Sequence, residues 1–430
     1  MHATSNSDSS TPPYREVKFE YTPQLPEILT HLRASILVTT YQAGKLLVLG
    51  AKDGKLQISF LDYDQPMGLA VSRECIAIGT RKQMHFLVPA HQTQAGQNQH
   101  DGCFVPRSSF YTGSIHGHDL GWGQDGLWIV NTLFSSLATL HEDFSFVPQW
   151  RPPFISQLID QDRCHLNGMA MENGLPKFVT AMSQTDTAAG WRPNKATSGV
   201  VMEVPSGRVV CSQLSMPHSP RLYANKLWVL NSGYGSLGYV NPADGAYVPV
   251  ESMPGYTRGL SFCGQFAFVG LSKIRETAVF GGVPIAERRD ELRCGVGVVD
   301  LMSGKTVAVF QFLSGVTEIF AVEALSGFTN PLIAGASVDM QEREVWLVPA
   351  EDAPRPPVES RFPIYTTKRG SNTGEQIPTE RSLADRIALS QQFQTNGQLN
   401  EAVATLEQAI GLSRQPAPLL VDLGNLRQEQ

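Results

Sequence analysis

The apolar positions of this chain fall in short runs separated at close intervals by turn residues. Ser35 to Tyr41 (SILVTTY), Lys45 to Ala51 (KLLVLGA) and Lys55 to Leu61 (KLQISFL) are β-branched or apolar, with Gln42-Ala43-Gly44 and Asp53-Gly54 between them. Runs of this length joined by Gly-bearing turns predict an antiparallel meander. The pattern continues through Met67 to Val71, Cys75 to Gly79, Met84 to Val88, Leu127 to Asn131, Leu137 to His141, Leu227 to Asn231 and Leu237 to Asn241. Asn225-Lys226, Asp244-Gly245 and Ser303-Gly304 punctuate it, and no amphipathic helical period stands out before residue 380. The expectation is an all-β chain.

Repetition narrows that expectation. Stretches starting near Gln65, His116, His165, His218, Tyr256 and Val316 each run into an apolar residue beside a small or polar one, then a turn and a second strand. Their spacing, roughly 40 to 60 residues, is the period of propeller blades. Six starts predict a six-bladed β-propeller over residues 31–350, after a disordered tail and leader over residues 1–30. The run Ser35 to Leu61 lacks an innermost strand, which a strand near Thr317 to Val322 would supply. Pro331 to Ala336 and Glu344 to Val348 keep seven blades as the alternative. Residues 351–379 turn to Pro, Arg, Ser, Thr and Gly, which is linker composition. Residues 380–430 place Leu389, Phe393, Gly397, Ala402, Leu406 and Ala409 at the spacing of a tetratricopeptide helix pair.

With 42% hydrophobic and 17% charged residues among 430, the chain can bury a sizeable core. The net charge of -6 comes without a Lys/Arg-rich run, which argues against nucleic acid and anionic membranes as partners. No apolar run approaches the roughly 20 residues of a membrane span, and the polar Met1 to Thr11 is unlike a signal peptide. The expected location is the cytoplasm. Six scattered cysteines without C-x-x-C spacing read as reduced thiols, with Cys164 set apart by its neighbour His165.

The candidate chemistry lies at the starts of the repeats. Laid on Leu120, Met169 and Leu222, three of them place a histidine four positions upstream, at His116, His165 and His218. On the inner strands of neighbouring blades these imidazoles would converge at one height. Such a set suits a divalent transition metal, with iron or copper favoured and zinc possible. His118 lies two residues past His116 and is expected as a fourth ligand or just below the site. An empty polar channel and a substrate-binding histidine ring are the alternatives.

The other half of the expected ring offers Tyr256, Arg258 and Glu318. Arg258 would bind an anionic group of a substrate; Glu318 could be a ligand, a general base or the partner of Arg258; Tyr256 joins it as a candidate catalytic group. Asn167 shares the layer of His118. The loops after second strands, with Asn131-Thr132, Asp186, Trp191, Arg192, Asn231, Tyr234 and Ser272-Lys273, would rim a pocket for a small molecule or peptide. No G-x-S-x-G elbow, P-loop or dinucleotide fingerprint occurs in strand-helix context.

These features lead to an expected function. It is a metal-dependent enzyme, foremost an iron- or copper-dependent oxidoreductase acting on an anionic small molecule or peptide. A zinc-type hydrolase or lyase on the same site is the alternative, as is a non-enzymatic peptide- or protein-binding propeller whose repeat tail recruits a protein partner.

His116-Gly117-His118-Asp119, the loop from Thr185-Asp186 to Gly190-Trp191-Arg192, and Asn231-Ser232-Gly233 resemble an uncharacterised bacterial β-propeller family of conserved hypothetical proteins. Some of its members carry tetratricopeptide repeats at one end. The resemblance covers residues 20–350; it implies the propeller and brings no activity with it. Axial histidines holding iron are an idea shared with carotenoid-cleaving oxygenases, with which no stretch aligns. Gluconolactonase-type propellers are similar in architecture but hold calcium through carboxylates and amides.

Overall fold

Every apolar run named above that lies among the described residues forms a strand. The computed structural model describes residues 16–90, 99–241, 243–274, 281–334, 390–391, 394 and 399–412. In chain order the elements begin with β1 (Phe19–Tyr21), α1 (Gln24–Leu32), β2 (Ala34–Thr39), β3 (Lys45–Lys52), β4 (Lys55–Asp62), β5 (Leu69–Val71), β6 (Ile76–Gly79), β7 (Gln83–Pro89) and β8 (Cys103–Tyr111). Then come β9 (Gly117–Trp122), β10 (Leu127–Asn131), β11 (Ser136–His141), β12 (Phe144–Trp150), β13 (Leu166–Glu172), β14 (Leu175–Ala181), β15 (Gly199–Glu203) and β16 (Val209–Leu214). The remaining strands are β17 (Pro217–Tyr223), β18 (Lys226–Asn231), β19 (Ser236–Val240), β20 (Tyr247–Ser252), β21 (Tyr256–Cys263), β22 (Phe266–Ser272), β23 (Cys294–Asp300), β24 (Lys305–Phe312), β25 (Ala321–Ser326) and β26 (Leu332–Ile333). Helix α2 (Leu399–Leu412) follows.

These strands make six sheets, ordered β25-β2-β3-β4, β5-β6-β7-β8-β26, β9-β10-β11-β12, β13-β14-β15-β16, β17-β18-β19-β20 and β21-β22-β23-β24-β1. This is the six-bladed β-propeller arrangement. The late strand β25 pairs with β2 from Ala34↔Ser326 to Thr39↔Ala321, so the N-terminal meander takes its inner strand from far along the chain, slightly later than expected. The alternative of a seventh blade loses its first piece: Leu332–Ile333 pairs parallel with β8 inside an existing sheet. Its second piece, residues 344–348, lies outside the described residues, as do the linker 351–379 and most of the expected repeat helices. Of that tail, α2 is described, with Ala402 and Leu406 buried and Ser390 Oγ donating to the Ala402 carbonyl at 2.7 Å.

By contacts the chain divides into a first unit (residues 1–109, 228–239 and 248–348) and a second (residues 110–227, 240–247 and 349–430). In the first, α1 is an element that the strand pattern had not announced. Its nine residues are too few for a persistent helical period, and it is held by burying Leu25 and Leu29 against Ile36, Val38, Phe310 and Phe312. The core of the second unit is built from Val130, Leu137, Leu166, Met169, Val179 and Met202.

Polar residues at strand ends serve the start of the following blade. In the first unit Thr39 Oγ1 donates to the Met67 carbonyl (2.6 Å) and Ser272 Oγ to that of Ile319 (3.1 Å). In the second, Thr132 Oγ1 donates to the Leu166 carbonyl (2.5 Å). Thr132 and Ser272 are buried, so these hydroxyls satisfy backbone rather than rim a pocket.

A buried ion pair binds the inner strands of the second unit. Asp119 on β9 receives Nη1 and Nη2 of Arg221 on β17 at 2.8 and 3.0 Å, and also the Met169 amide of β13 at 2.9 Å. Gly168 makes room for this approach: a Cβ there would lie 2.4 Å from Pro220 Cδ. Arg221→Met, which strands the Asp119 carboxylate, is expected to cost about 3 to 5 kcal/mol of stability. Urea denaturation checks this, and adding Asp119→Asn to Arg221→Met should recover part of the loss.

Candidate functional site

A left-handed residue precedes the inner strand at Gln65 (φ 50), His116 (φ 54), His165 (φ 50) and Met216 (φ 48). For residues other than glycine this backbone costs on the order of 1–3 kcal/mol each, so the turn is held by its surroundings. His116 and His165 share the position, as the repeat predicted. His218 does not. Met216 takes the left-handed place, and His218 stands two residues on, level with His118 and Asn167. The same local bond marks both histidines: His118 Nδ1 lies 3.0 Å from the His116 carbonyl, and His218 Nδ1 lies 3.0 Å from the Met216 carbonyl. Alignment on Leu222 misplaced His218 because β17 holds more residues between its turn and that leucine, with Ser219 itself left-handed (φ 49).

His165 is the best-determined imidazole of the group. Its Nδ1 lies 2.9 and 3.0 Å from the two carboxylate oxygens of Asp162, a left-handed residue (φ 46) that turns the loop back onto the strand start. Trp191 Nε1 donates to the same carboxylate at 3.1 Å, and the Trp191 ring lies 4.4 Å from that of His165. The His118 ring meets His165 edge-on at 4.8 Å. His116 faces the same charges: burial lowers its pKa, Asp162 raises it, and His165 lowers it further. The structure therefore brings His116, His118, His165 and Trp191 together around Asp162, while His218 is buried on its own turn.

Hydrogen-bond logic assigns the tautomers. A carbonyl oxygen only accepts, so Nδ1 carries the proton in His118 and His218; the Asp162 carboxylate imposes the same on His165. In His165 this leaves Nε2 as the base nitrogen. Nε2 of His165 has no hydrogen-bond partner among the described residues.

The loops around this cluster are braced by Arg163. Its Nη1 bonds Asp186 Oδ1 (2.6 Å) and Ser156 Oγ (3.0 Å), and its Nε bonds Gln161 Oε1 (3.0 Å). The Ser156 hydroxyl, and then Arg163, hold the Asp186 carboxyl below its usual range. Asp186 thus braces a loop, and Asn167 braces strands: its Nδ2 donates to the Pro217 carbonyl (3.0 Å) and its Oδ1 accepts from Thr180 (2.7 Å). Trp191 is buried, and the exposed Arg192 guanidinium lies 5.6 Å over its ring. Cys164, adjoining His165, is fully buried; burial pushes its thiol up to about 12 and makes it unreactive.

Tyr256, Arg258, Glu318, Asn231 and Tyr234 belong to the first unit. There Arg258 Nη1 lies 3.8 Å from Glu318 Oε1, and its guanidinium stacks 3.3 Å from the Phe320 ring centroid. Tyr256 is buried, which pushes its phenol pKa up, with Arg258 acting in the opposite sense. Asn231 is buried at the end of β18, and Tyr234 is about half exposed. Among the described residues no three His, Cys, Asp or Glu side chains are placed to hold one metal ion. The donor set expected for iron, copper or zinc is not assembled among these residues.

Residues 23–334 match the family described as a domain of unknown function (DUF4915). The chain belongs to this family. Its span takes in every strand from β2 to β26 and every candidate site residue, and it agrees with the resemblance to uncharacterised propellers. No curated protein matches the sequence. Similar solved structures include the nidogen/laminin complex (12% identity, TM-score 0.44) and a protein of unknown function from Bacteroides caccae (11%, 0.42). Each comparison covers 68% of this chain and 99% of the other. Among the described residues no helix is long and apolar enough to cross a membrane.

Asp162 and Arg163 escaped the sequence reading, although Asp162-x-x-His165 carries a signal: on a tight turn, three residues bring a carboxylate back to the imidazole.

Two predictions follow from the charges. Burial lowers the pKa of both His85 and His116, so near pH 6 the unfolded chain, with its histidines titrating at about 6.5, binds more protons than the folded one. Unfolding free energy should hold steady above pH 7.5 and fall as pH drops from 6.5 through the folded-state values. His116→Asn, which tolerates the left-handed turn, should flatten that fall. For the Arg258–Glu318 pair, Arg258→Ala should lower the melting temperature and Glu318→Gln in the same protein should partly restore it, as a double-mutant cycle would register.

Proposed function

We propose that this protein is a hydrolase or lyase in which His165 is the general base and Asp162 the carboxylate that orients it. One observation carries the reading: His165 Nδ1 is fixed by both Asp162 oxygens while Nε2 has no hydrogen-bond partner among the described residues. A base needs that division, one nitrogen held and the other open to a proton. With its side chain 16% exposed, His165 can be reached by a small molecule and is still shielded from bulk water. Nε2 would take a proton from water or from an acidic position on the substrate, and Asp162 would stabilise the imidazolium. Trp191 holds Asp162 in place and walls the ring, and His118 is the nearest second proton carrier. The iron, copper and zinc readings need a third converging donor; proton transfer needs only the pair that is present.

Two further parts of the reading concern context. All six cysteines are free, which suits the cytoplasm. Helix α2, with Ala402 and Leu406 buried, supports a tetratricopeptide-like tail that recruits a protein partner.

Activated carboxylic esters, phosphate esters and lactones supplied at pH 7.5 should be turned over. His165→Gln should lower the rate about a hundred- to ten-thousand-fold, the usual share of a general base, with folding unchanged. Nitrogen-15 NMR should show His165 as the Nδ1–H tautomer, and Asp162→Asn should disturb it. A protein that turns over none of these and holds His165 as the Nε2–H tautomer would sink the proposal and leave a binding propeller.

A further inference from the structure

The proton-transfer pair leaves Lys195 without a role. Lys195 follows the short 3₁₀ turn Arg192–Asn194 and is only 8% exposed. Its ammonium makes a single hydrogen bond, from Nζ to the Arg192 carbonyl at 3.1 Å. Among the described residues no carboxylate lies within ion-pair distance of it. An ammonium has three donors, and in this part-buried setting two of them have no protein partner among the described residues. Other cations drawn into the second unit do not share this condition: Arg163 has Asp186, and Arg221 has Asp119.

Its position gives the open charge a use. The carbonyl that receives Nζ belongs to the residue after Trp191, whose ring lies 4.4 Å from His165. The Lys195 carbonyl in turn accepts the Met216 amide at 3.1 Å, and the Met216 carbonyl holds His218. Lys195 therefore joins the Trp191 segment to the turn that leads into β17. Arg192, exposed over the Trp191 ring, adds a second cation without a carboxylate among the described residues.

We propose that Lys195 is the anion-binding residue of this site, holding a carboxylate or phosphate oxyanion of the substrate whose reacting group faces His165. The inference rests on the proton-transfer reading for what happens at His165, but not for the binding itself. Arg258, the sequence-based choice for this role, already has Glu318 and the Phe320 ring. A compact ammonium with two open donors suits an oxyanion.

The test is binding of inorganic phosphate and of malonate, each titrated into the full-length protein at pH 7.5 and constant ionic strength, with chloride as control. Tryptophan fluorescence and melting temperature are the readouts. The wild type should bind at least one of the two saturably, and which one separates a phosphate-bearing substrate from a carboxylate. Lys195→Met should weaken binding at least tenfold while leaving the melting temperature unchanged or higher, because a stranded charge gives way to an apolar chain of similar length. Lys195→Arg should keep binding within a few-fold. The proposal is overturned if neither oxyanion binds the wild type, if Lys195→Met binds undiminished, or if that variant loses melting temperature without losing binding. His165→Gln should bind the oxyanion normally, so a failure of the proton-transfer reading is separable from a failure of this one.

Discussion

The second unit depends on one carboxylate. Asp119 accepts the Leu120 amide (3.1 Å), the Met169 amide (2.9 Å) and both Nη atoms of Arg221 (2.8 and 3.0 Å), which fills its acceptor sites. Its side chain is 7% exposed, and a charge that deep is tolerable only with every lone pair met. Three inner strands supply those donors. A slip of one residue in any of them would turn the donors to the wrong face and leave the carboxylate stranded, so the ion pair specifies register more than it adds stability. Register is what the site needs, since β9 carries His118, β13 begins directly after His165, and β17 carries His218.

On that frame the loops are fixed by a second ion pair with the same logic. Arg163 ties Ser156 and Asp186, one on each of the segments that flank His165 in sequence, and Asp186 Oδ1 also takes the Ser156 amide at 3.1 Å. The left-handed Asp162 and His165 then have the braced Arg163 between them in sequence and Trp191 bonded to Asp162 and packed on the His165 ring. Backbone strain of this kind persists only where the surroundings over-determine it, and both braces tie this turn to side chains distant in sequence, Arg163 to Asp186 and Asp162 to Trp191.

That separation explains what could be read in advance. Strand identity, the number of blades and the recurrence of His116 and His165 are local or periodic properties, and the chain displays them directly. Helix α1 was not visible because two buried leucines on nine residues do not make a helical period. His218 went astray because the inserted residues of β17 shift its apolar anchor without disturbing the pattern around it. Asp119 and Arg221 stand 102 residues apart, and nothing in either neighbourhood announces the other. The metal expectation counted imidazoles at equivalent positions, but a shared ion needs three donors that converge, and among the described residues no three do so, His218 sitting on its own turn at the Met216 carbonyl.

What remains after the commitments are counted is the argument for function. Many polar groups inside this unit are matched: Asn167 uses both its amide ends, Thr132 reaches a carbonyl across blades, and Asp119 and Asp186 each neutralise an arginine, although the buried Ser136 hydroxyl has no hydrogen-bond partner among the described residues. Two unmet capacities belong to groups that can carry charge, the Nε2 lone pair of His165 and the spare donors of Lys195. They lie on segments joined through Trp191. Natural sequences break the rule of satisfied burial mainly where a ligand completes it. A base and a cation left open on adjoining segments are complementary to one kind of molecule, an acid-bearing or phosphorylated compound with a transferable proton or a bond open to water.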